Sequence, residues 1–195
     1  MWLFSAWKSG AVPAALLSQD FFSLGAKDVE GNYRQMAEFK GQVMLITNSA
    51  TKCGFTQQHL KEFRELKEKY GPQGFEVLAL PTTQFKEQEE RDPALMCQAY
   101  KKFDINFPLF ELTEVNGPNA NPIFQYCKLH SEEMYSKGEL KPVGWNFGKF
   151  LLDREGRVFK YYSPRIPPSA LSADIEKLLK GELRGKKRNE AGILE

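Results

Sequence analysis

Cys53 is the residue whose type and position in this sequence best suit chemistry. It lies between an apolar run at residues 43–46, typical of a buried strand, and residues 57–70, whose apolar side chains recur at helical spacing. A cysteine in this place precedes a helix N-terminus, where free backbone N–H groups and the positive end of the helix dipole stabilise negative charge. Because the thiolate is the nucleophile, this placement favours a reactive cysteine.

Position alone does not distinguish a reactive cysteine from an inert one. Cysteine is often buried as a small apolar side chain. A helix terminus contributes typically ~0.3–1 kcal/mol, and one pKa unit corresponds to ~1.4 kcal/mol, so the dipole lowers a thiol pKa by less than about one unit. A strongly reactive Cys53 therefore needs further hydrogen-bond donors from elsewhere in the chain.

Composition restricts the classes of protein to consider. A chain of 195 residues, 42% of them hydrophobic, suits a single domain with a sizeable core. The net charge of +2 and the scattered basic residues argue against a nucleic-acid partner, and no apolar run is long enough for a transmembrane segment. The 3 cysteines are an odd and sparse set, which indicates a reducing, cytoplasmic compartment. Neither histidine has metal-ligand spacing to a cysteine, so we expect no metal and no other bound cofactor.

The two ends of the chain differ in composition from the middle. Residues 1–17 are apolar but interrupted by a lysine, a glycine and a proline. We therefore expect a disordered or loosely packed N-terminal extension in preference to a secretory signal, and organelle targeting stays open. Residues 181–195 are charged and Gly-rich, and we expect a loose tail there. The predicted domain spans residues 18–180.

Strand-like and helix-like patterns alternate within this domain. After a small hairpin and the strand before Cys53, the predicted elements are a helix, a second buried strand at 75–80, helices opened by Asp92-Pro93 and Asn121-Pro122, a hairpin around Arg154-Glu155-Gly156, and a last helix at 169–180. This order predicts an α/β fold with a central mixed β-sheet flanked by helices on both faces. Cys53 and Gln84 each follow a predicted strand, so they meet at one sheet edge if those strands are neighbours.

Three separated groups of residues resemble motifs of the glutathione peroxidase family. In family order they are Asn48-x-Ala50-x-x-Cys53-Gly54-x-Thr56, Gln84-Phe85 with Gln88-Glu89, and Trp145-Asn146-Phe147 with Lys149-Phe150-Leu151. The resemblance covers about residues 18–180 and implies a thioredoxin-like fold. It places the reacting group at Cys53, where selenoenzyme members carry selenocysteine, and places its supporting donors at Gln84, Trp145 and Asn146.

The activity implied by the resemblance is thiol-dependent reduction of hydrogen peroxide and of organic or lipid hydroperoxides, as a defence against oxidative stress. The Cys53 thiolate attacks the O–O bond, releases water or an alcohol, and becomes a sulfenic acid. Glutathione or thioredoxin then reduces the sulfenic acid. The amides of Gln84 and Asn146 and the indole N–H of Trp145 are neutral donors, which can follow the charge from the sulfur to the leaving oxygen.

Cys97 is a possible resolving cysteine. Family members that use thioredoxin keep such a cysteine in the second helix, at a position that corresponds to Tyr100 here. Cys97 lies one helical turn earlier on the same face, so it is a candidate substitute. An ordinary buried helix cysteine is an equally good interpretation. Cys127 lies within the third helix, and we expect it in the core.

The sequence departs from the family pattern next to the expected site. Thr82-Thr83 stands where many members have Cys-Asn, and Lys86 and Glu90 replace a glycine and a proline. The segment between Asn121-Pro122 and Trp145 is shorter than in tetrameric members, which implies a monomer with an open site.

Two other functions are also compatible with this sequence. One is a peroxide sensor or thiol oxidase that passes oxidation to a partner protein. The other is a catalytically weak, thioredoxin-like interaction module, a possibility supported by the altered loop at residues 82–90.

Overall fold

The computed structural model describes Val12 and residues 14–195, so most of the predicted N-terminal extension, residues 1–11 and 13, lies outside the described residues. The helices and strands are α1 Ala15–Ser18, β1 Gly25–Lys27, β2 Tyr33–Gln35, β3 Val43–Ser49, α2 Thr56–Tyr70, β4 Phe75–Pro81, α3 Pro93–Lys101, α4 Pro122–Leu129, β5 Tyr135–Ser136, β6 Glu139–Leu140, β7 Lys149–Leu152, β8 Val158–Tyr162 and α5 Ser172–Leu179. Short 3₁₀ turns precede β1, β3, β4 and α5. No helix in this described part is long and apolar enough to cross a membrane.

A four-stranded mixed sheet forms the centre of the domain, in the order β4-β3-β7-β8. β3 pairs with β4 in parallel over the full length of both strands, from Val43 opposite Phe75 to Ser49 opposite Pro81. β7 pairs antiparallel with both β3 and β8. The predicted mixed sheet and the predicted adjacency of the two buried strands are therefore confirmed.

Alternate residues of β3 face two different layers of the core, as the two-residue period of a strand requires. Val43 and Leu45 pack in a cluster with apolar residues of α2, α3 and α5. Met44 and Ile46 pack in a second cluster with α4 and β7. Both faces of the sheet are thus covered, which explains why β3 and β4 are buried over their whole length. Each fully buried large apolar side chain contributes about 1.5–3 kcal/mol.

The ends of the domain are more ordered than the composition indicates. The backbone N–H of Arg188 donates to His130 Nδ1 (2.8 Å), and its guanidinium donates to the carbonyl of Leu129 (2.7 Å). An isolated bridge pairs Lys186 with Val158. The expectation of a loose C-terminal tail is therefore wrong, because a few specific hydrogen bonds fix a segment that has little apolar surface. At the other end, Leu16 of α1 is buried in a small cluster.

Sheet topology brings three loops to one edge. The parallel strands β3 and β4 end together, and the loops that follow them carry Cys53 and Gln84. β7 runs the other way, with Lys149 opposite Thr47, so the segment that leads into β7 reaches the same edge. That segment contains Trp145 and Asn146. The prediction that Cys53 and Gln84 share a sheet edge is confirmed.

Candidate active site

Cys53 occupies a tight turn between β3 and α2. Its side chain is half-buried and its thiol is free. The hydroxyl of Thr56, the first residue of α2, accepts a hydrogen bond from the Cys53 backbone N–H (3.1 Å) and donates one to the carbonyl of Ala50 (2.6 Å). One side chain therefore fixes both ends of the turn, and Cys53 lies just before the helix N-terminus as the sequence predicts.

Lys52, the residue before Cys53, is bound to the loop that follows β4. The backbone N–H of Lys52 donates to the carbonyl of Gln88 (2.9 Å). Its ammonium pairs with Glu90 Oε1 (2.7 Å), although both side chains are substantially exposed. Such a pair contributes at most about 1 kcal/mol. Glu90, which replaces a proline of the family pattern, is thus the ion-pair partner of Lys52.

Glu89 is a buried carboxyl group beneath the Cys53 turn. It accepts hydrogen bonds from Thr51 Oγ1 (2.5 Å), from the hydroxyl of Tyr100 (2.9 Å) and from the backbone N–H of Glu90 (2.8 Å). The Tyr100 hydroxyl also bonds to Ser49 Oγ (2.6 Å). Burial raises the pKa of Glu89, and the donated hydrogen bonds oppose that shift. This network joins the Cys53 turn to the end of β3 and to α3.

The same network includes Tyr100 of α3, the helix that also carries the candidate resolving cysteine, Cys97. Tyr100, at the position that the family resemblance gives to a resolving cysteine, is fully buried, and burial raises the pKa of its phenol well above the usual value. Cys97 is half-buried with a free thiol, next to the buried Met96. Helix α3 is therefore anchored through Tyr100 close to the cysteine whose role is in question.

The amide of Gln84 is held by the backbone of residues 115–116. Gln84 Oε1 accepts from the N–H groups of Val115 (2.8 Å) and Asn116 (2.9 Å). Gln84 Nε2 donates to the carbonyl of Asn116 (2.9 Å). These bonds use one of the two N–H groups of the carboxamide and leave its orientation fixed.

Trp145 and Asn146 are held by the loop that carries Gln84. The Trp145 ring packs against Phe85 with a centroid separation of 5.8 Å, and Lys86 Nζ lies 5.6 Å from the ring centroid. Asn146 is fully buried, and its Nδ2 donates to Gln88 Oε1 (3.0 Å). Asn146 Oδ1 is buried without a hydrogen-bond partner within the described residues. A buried polar atom without a partner is costly, and such atoms are uncommon in folded proteins.

A strained turn follows Asn146. Phe147 has a φ of 68°, a conformation that costs a residue with a side chain roughly 1–2 kcal/mol. Its N–H donates to the carbonyl of Asn48 (2.6 Å), and its carbonyl accepts from the ammonium of Lys149 (2.6 Å). Asn48 Nδ2 also donates to the carbonyl of Trp145 (3.0 Å). The strand before Cys53 therefore holds the segment that carries Trp145 and Asn146.

Lys149 is buried together with His59 of α2. Its ammonium also contacts the carbonyl of Ser163 (3.1 Å) and lies 3.3 Å from His59 Nε2. Burial lowers the pKa of Lys149 to about 7. Burial and the neighbouring Lys149 charge lower the pKa of His59 to about 4.

An open cavity of about 440 Å³ lies beside Trp145. Its lining includes the apolar side chains of Phe55, Trp145 and Pro164, and Arg165 and Ser163 add polar groups. Phe55 follows Cys53 by two residues, so one wall of the cavity belongs to the segment between Cys53 and α2.

The four residues that the sequence singles out reach the same sheet edge through three interlocked loops. In the described structure, however, Cys53 Sγ has no hydrogen bond to Gln84, Trp145 or Asn146, and both amides are bound to other protein groups. Cys127 of α4 does not belong to this edge. It is fully buried in the hydrophobic core, as predicted. No group of three or more potential metal-binding side chains occurs in the part of the chain that the structure describes.

Comparison with known proteins agrees with this arrangement. A family model described as glutathione peroxidase matches residues 21–128, more than half of the chain. A relative from Mesembryanthemum crystallinum, named probable phospholipid hydroperoxide glutathione peroxidase, is 39% identical over 78% of this chain and 88% of its own length. A Synechocystis sp. protein named hydroperoxy fatty acid reductase gpx1 is 38% identical, over 85% and 99%.

The chain belongs to the glutathione peroxidase family. It is accordingly a peroxidase that reduces hydroperoxides. The crystal structure of Trgpx in its apo form superposes with a TM-score of 0.66 at 30% identity, covering 84% of this chain and 97% of that one. A thioredoxin-family thiol:disulfide interchange protein from Chlorobium tepidum superposes with a TM-score of 0.58 at 13% identity, covering 83% and 98%, which shows the fold alone. The expected thioredoxin-like fold is confirmed.

Several residues that hold these three loops together were not assigned a role from the sequence. Gln88 and Glu89 belong to a quoted family motif, but their contacts depend on how two loops meet. Asn116 lies outside every motif, and no local pattern marks it. Lys149 lies within a motif but reads locally as an exposed strand lysine, whereas it is fully buried.

The lowered pKa of His59 predicts a loss of stability in acid. An unfolded histidine binds a proton near pH 6.5, whereas buried His59 does so only near pH 4. Its contribution to stability is therefore fully present above pH 6.5 and falls as the pH decreases toward 4, by up to ~1.4 kcal/mol per pH unit. We expect His59→Phe, which retains an aromatic ring, to weaken this dependence.

Urea denaturation of both proteins at a series of pH values from neutrality down to pH 4.5 measures this dependence. His130, whose pKa is also lowered by burial, is present in both proteins and cancels in the comparison. An identical decrease in the free energy of unfolding for the two proteins would show that His59 titrates as an exposed histidine.

Proposed function

We propose that Cys53 is the peroxidatic residue. Its thiolate attacks the terminal oxygen of a hydroperoxide, so that an S–O bond forms as the O–O bond breaks, and the departing oxygen takes a proton to leave as water or an alcohol. Cys53 becomes a sulfenic acid, the first product on the cysteine oxidation ladder. The observation that carries this proposal is the half-buried, free Cys53 thiol at the start of α2, where three loops of the family's motifs converge.

Gln84, Trp145 and Asn146 are proposed as the donors that support the reaction. A carboxamide has two N–H donors, and the described contacts use one in Gln84 and one in Asn146. The second N–H of each is the donor that we assign to the thiolate or to the leaving oxygen. Neutral, pre-positioned donors stabilise charge as it moves between these atoms without holding the thiolate in an ion pair.

The cavity beside Trp145 supports organic hydroperoxides as substrates. Its walls of Phe55, Trp145 and Pro164 suit a hydrocarbon chain. Arg165 lines the same cavity. The ammonium of Lys86 lies over the ring of Trp145, 5.6 Å from its centroid. Two cations near an apolar cavity suit a hydroperoxide that also carries an acidic group. The printed names of two relatives refer to phospholipid and fatty-acid hydroperoxides.

An external thiol, glutathione or thioredoxin, is the proposed reductant. It attacks the Cys53 sulfenic acid, forms a mixed disulfide and releases water, and a second thiol restores Cys53. Resolution by Cys97 is the alternative. The anchoring of α3 through Tyr100, with its hydrogen bonds to Ser49 and Glu89, disfavours a rearrangement of that helix and so favours the external thiol.

We further propose that the protein works as a monomer in a reducing compartment such as the cytoplasm. The short segment between α4 and Trp145 supports a monomer, because it leaves no long loop for assembly. The sparse, free cysteines support a reducing compartment.

Replacement of the proposed nucleophile separates the enzyme from its rivals. We expect Cys53→Ser to abolish thiol-dependent consumption of hydrogen peroxide and of a hydroperoxy fatty acid, because the hydroxyl is not ionised at neutral pH. Cys127→Ser, a change in the buried core, should retain most of the turnover. Peroxide consumption coupled to each reductant in turn measures both. A Cys53→Ser protein with undiminished turnover would contradict the proposal, and a wild-type protein oxidised once without turnover would favour the sensor.

One equivalent of peroxide distinguishes the two routes of reduction. We expect Cys53 to form a sulfenic acid, and then a mixed disulfide when glutathione is added, because α3 is anchored. Mass spectrometry of the peptides containing Cys53 and Cys97, with and without glutathione, measures this. An intramolecular Cys53–Cys97 disulfide formed before any thiol is added would instead assign Cys97 as the resolving cysteine.

A further inference from the structure

Lys128 of α4 is a buried cation without a described role. Its side chain is 3% exposed, and burial lowers its pKa to about 7. Its ammonium donates to the carbonyl of Val115 (2.5 Å) and to Asn116 Oδ1 (2.7 Å). Within the described residues it forms no ion pair with a carboxylate, so neutral oxygens alone compensate the loss of hydration.

The two acceptors of Lys128 belong to the segment that holds Gln84. The backbone N–H of Val115 and that of Asn116 both donate to Gln84 Oε1, and the Asn116 carbonyl accepts from Gln84 Nε2. Lys128 therefore binds the carbonyl of the peptide group whose N–H, that of Asn116, donates to Gln84. It also binds the side chain of Asn116. A shift of this segment would move the Gln84 amide with it.

Asn116 extends the same connection to the third loop of the site. Its Oδ1 accepts from the backbone N–H of Val143 (2.8 Å) as well as from Lys128, and its Nδ2 donates to the Val143 carbonyl (2.9 Å). Val143 precedes Trp145 by two residues. Because an ammonium can only donate, Lys128 stabilises the same orientation of the Asn116 carboxamide that the Val143 backbone requires. One lysine thus fixes the junction between the Gln84 support and the Trp145 segment.

We propose that Lys128 is a positioning residue of the peroxidase site, which fixes residues 115–116 and thereby the amide of Gln84. The inference rests on the proposed role of Gln84 as a donor to the reacting atoms. General stability does not account for a lysine here, because an apolar side chain of similar volume is less costly to bury than an ammonium group. What the ammonium adds is two directed hydrogen bonds to the segment behind Gln84.

A double-mutant cycle between Lys128 and Gln84 tests the proposal. The measured quantity is the second-order rate constant for oxidation of Cys53 by hydrogen peroxide, followed by stopped flow on the full chain. We expect Lys128→Met to lower it by roughly 10- to 100-fold, the size of effect that a small displacement of a catalytic group produces. In the Gln84→Ala background, Lys128→Met should cause little further decrease, because the group that it positions is already absent.

The outcomes separate the inference from the function on which it rests. If Gln84→Ala alone leaves the rate constant unchanged, the proposed role of Gln84 fails. If Gln84→Ala slows the reaction but Lys128→Met does not, or if the two effects multiply as for independent sites, the inference fails while the function stands. Non-additive effects support the inference, since a merely structural lysine would damage both backgrounds equally.

Two further variants keep the test independent of folding defects. Cys127→Ala removes a fully buried side chain from the position next to Lys128, so it destabilises α4 without touching the Gln84 support, and its rate constant should match that of the wild type. Lys128→Gln retains a donor for residues 115–116, so its rate constant should lie above that of Lys128→Met. If Lys128→Met does not fold, Lys128→Gln replaces it in the double-mutant cycle with Gln84→Ala. A folded Lys128→Gln protein with no recovery relative to a folded Lys128→Met protein would overturn the proposal.

Discussion

The pairing of β3 with β4 on one side and with β7 on the other is the constraint on which the site depends. A parallel pair ends at one edge of the sheet, and an antiparallel neighbour begins there. Three loops that are far apart in the sequence therefore have to meet at this edge, one with Cys53, one with Gln84 and one with Trp145 and Asn146. A helix dipole alone is too weak to make a thiol strongly reactive, so the proposed chemistry depends on this meeting of loops.

Buried polar groups turn that approximate meeting into a defined geometry. Glu89 binds the Cys53 turn to α3, Lys149 holds the strained turn at Phe147, and Lys128 holds the segment behind Gln84. Each of these ionisable groups is costly to bury, and the shifts in their pKa values reflect that cost. The cost is offset by hydrogen bonds whose directions fix the loops. An apolar core would stabilise the same fold without specifying where the amides point.

The sequence predicted the larger features because they depend on local periodicity and on motifs. The buried runs of β3 and β4, the α2 pattern and the Pro-opened helices identified the mixed sheet, and the placement of Cys53 identified its turn. The supports of the site could not be predicted in the same way. Lys128 and Asn116 follow no pattern, and their contacts form only when α4 packs on the sheet. The tail around Arg188 was also missed, because one arginine rather than an apolar stripe anchors it.

The central claim is that donors from distant loops make Cys53 far more reactive than an ordinary thiol. The rate constant for its reaction with hydrogen peroxide, compared with that of a small free thiol at the same pH, tests this most directly. A Cys97→Ser background restricts the signal to Cys53, since Cys127 is buried. The account predicts an excess of at least ~100-fold, the contribution typical of a single well-placed donor. A rate constant equal to that of the free thiol would contradict it.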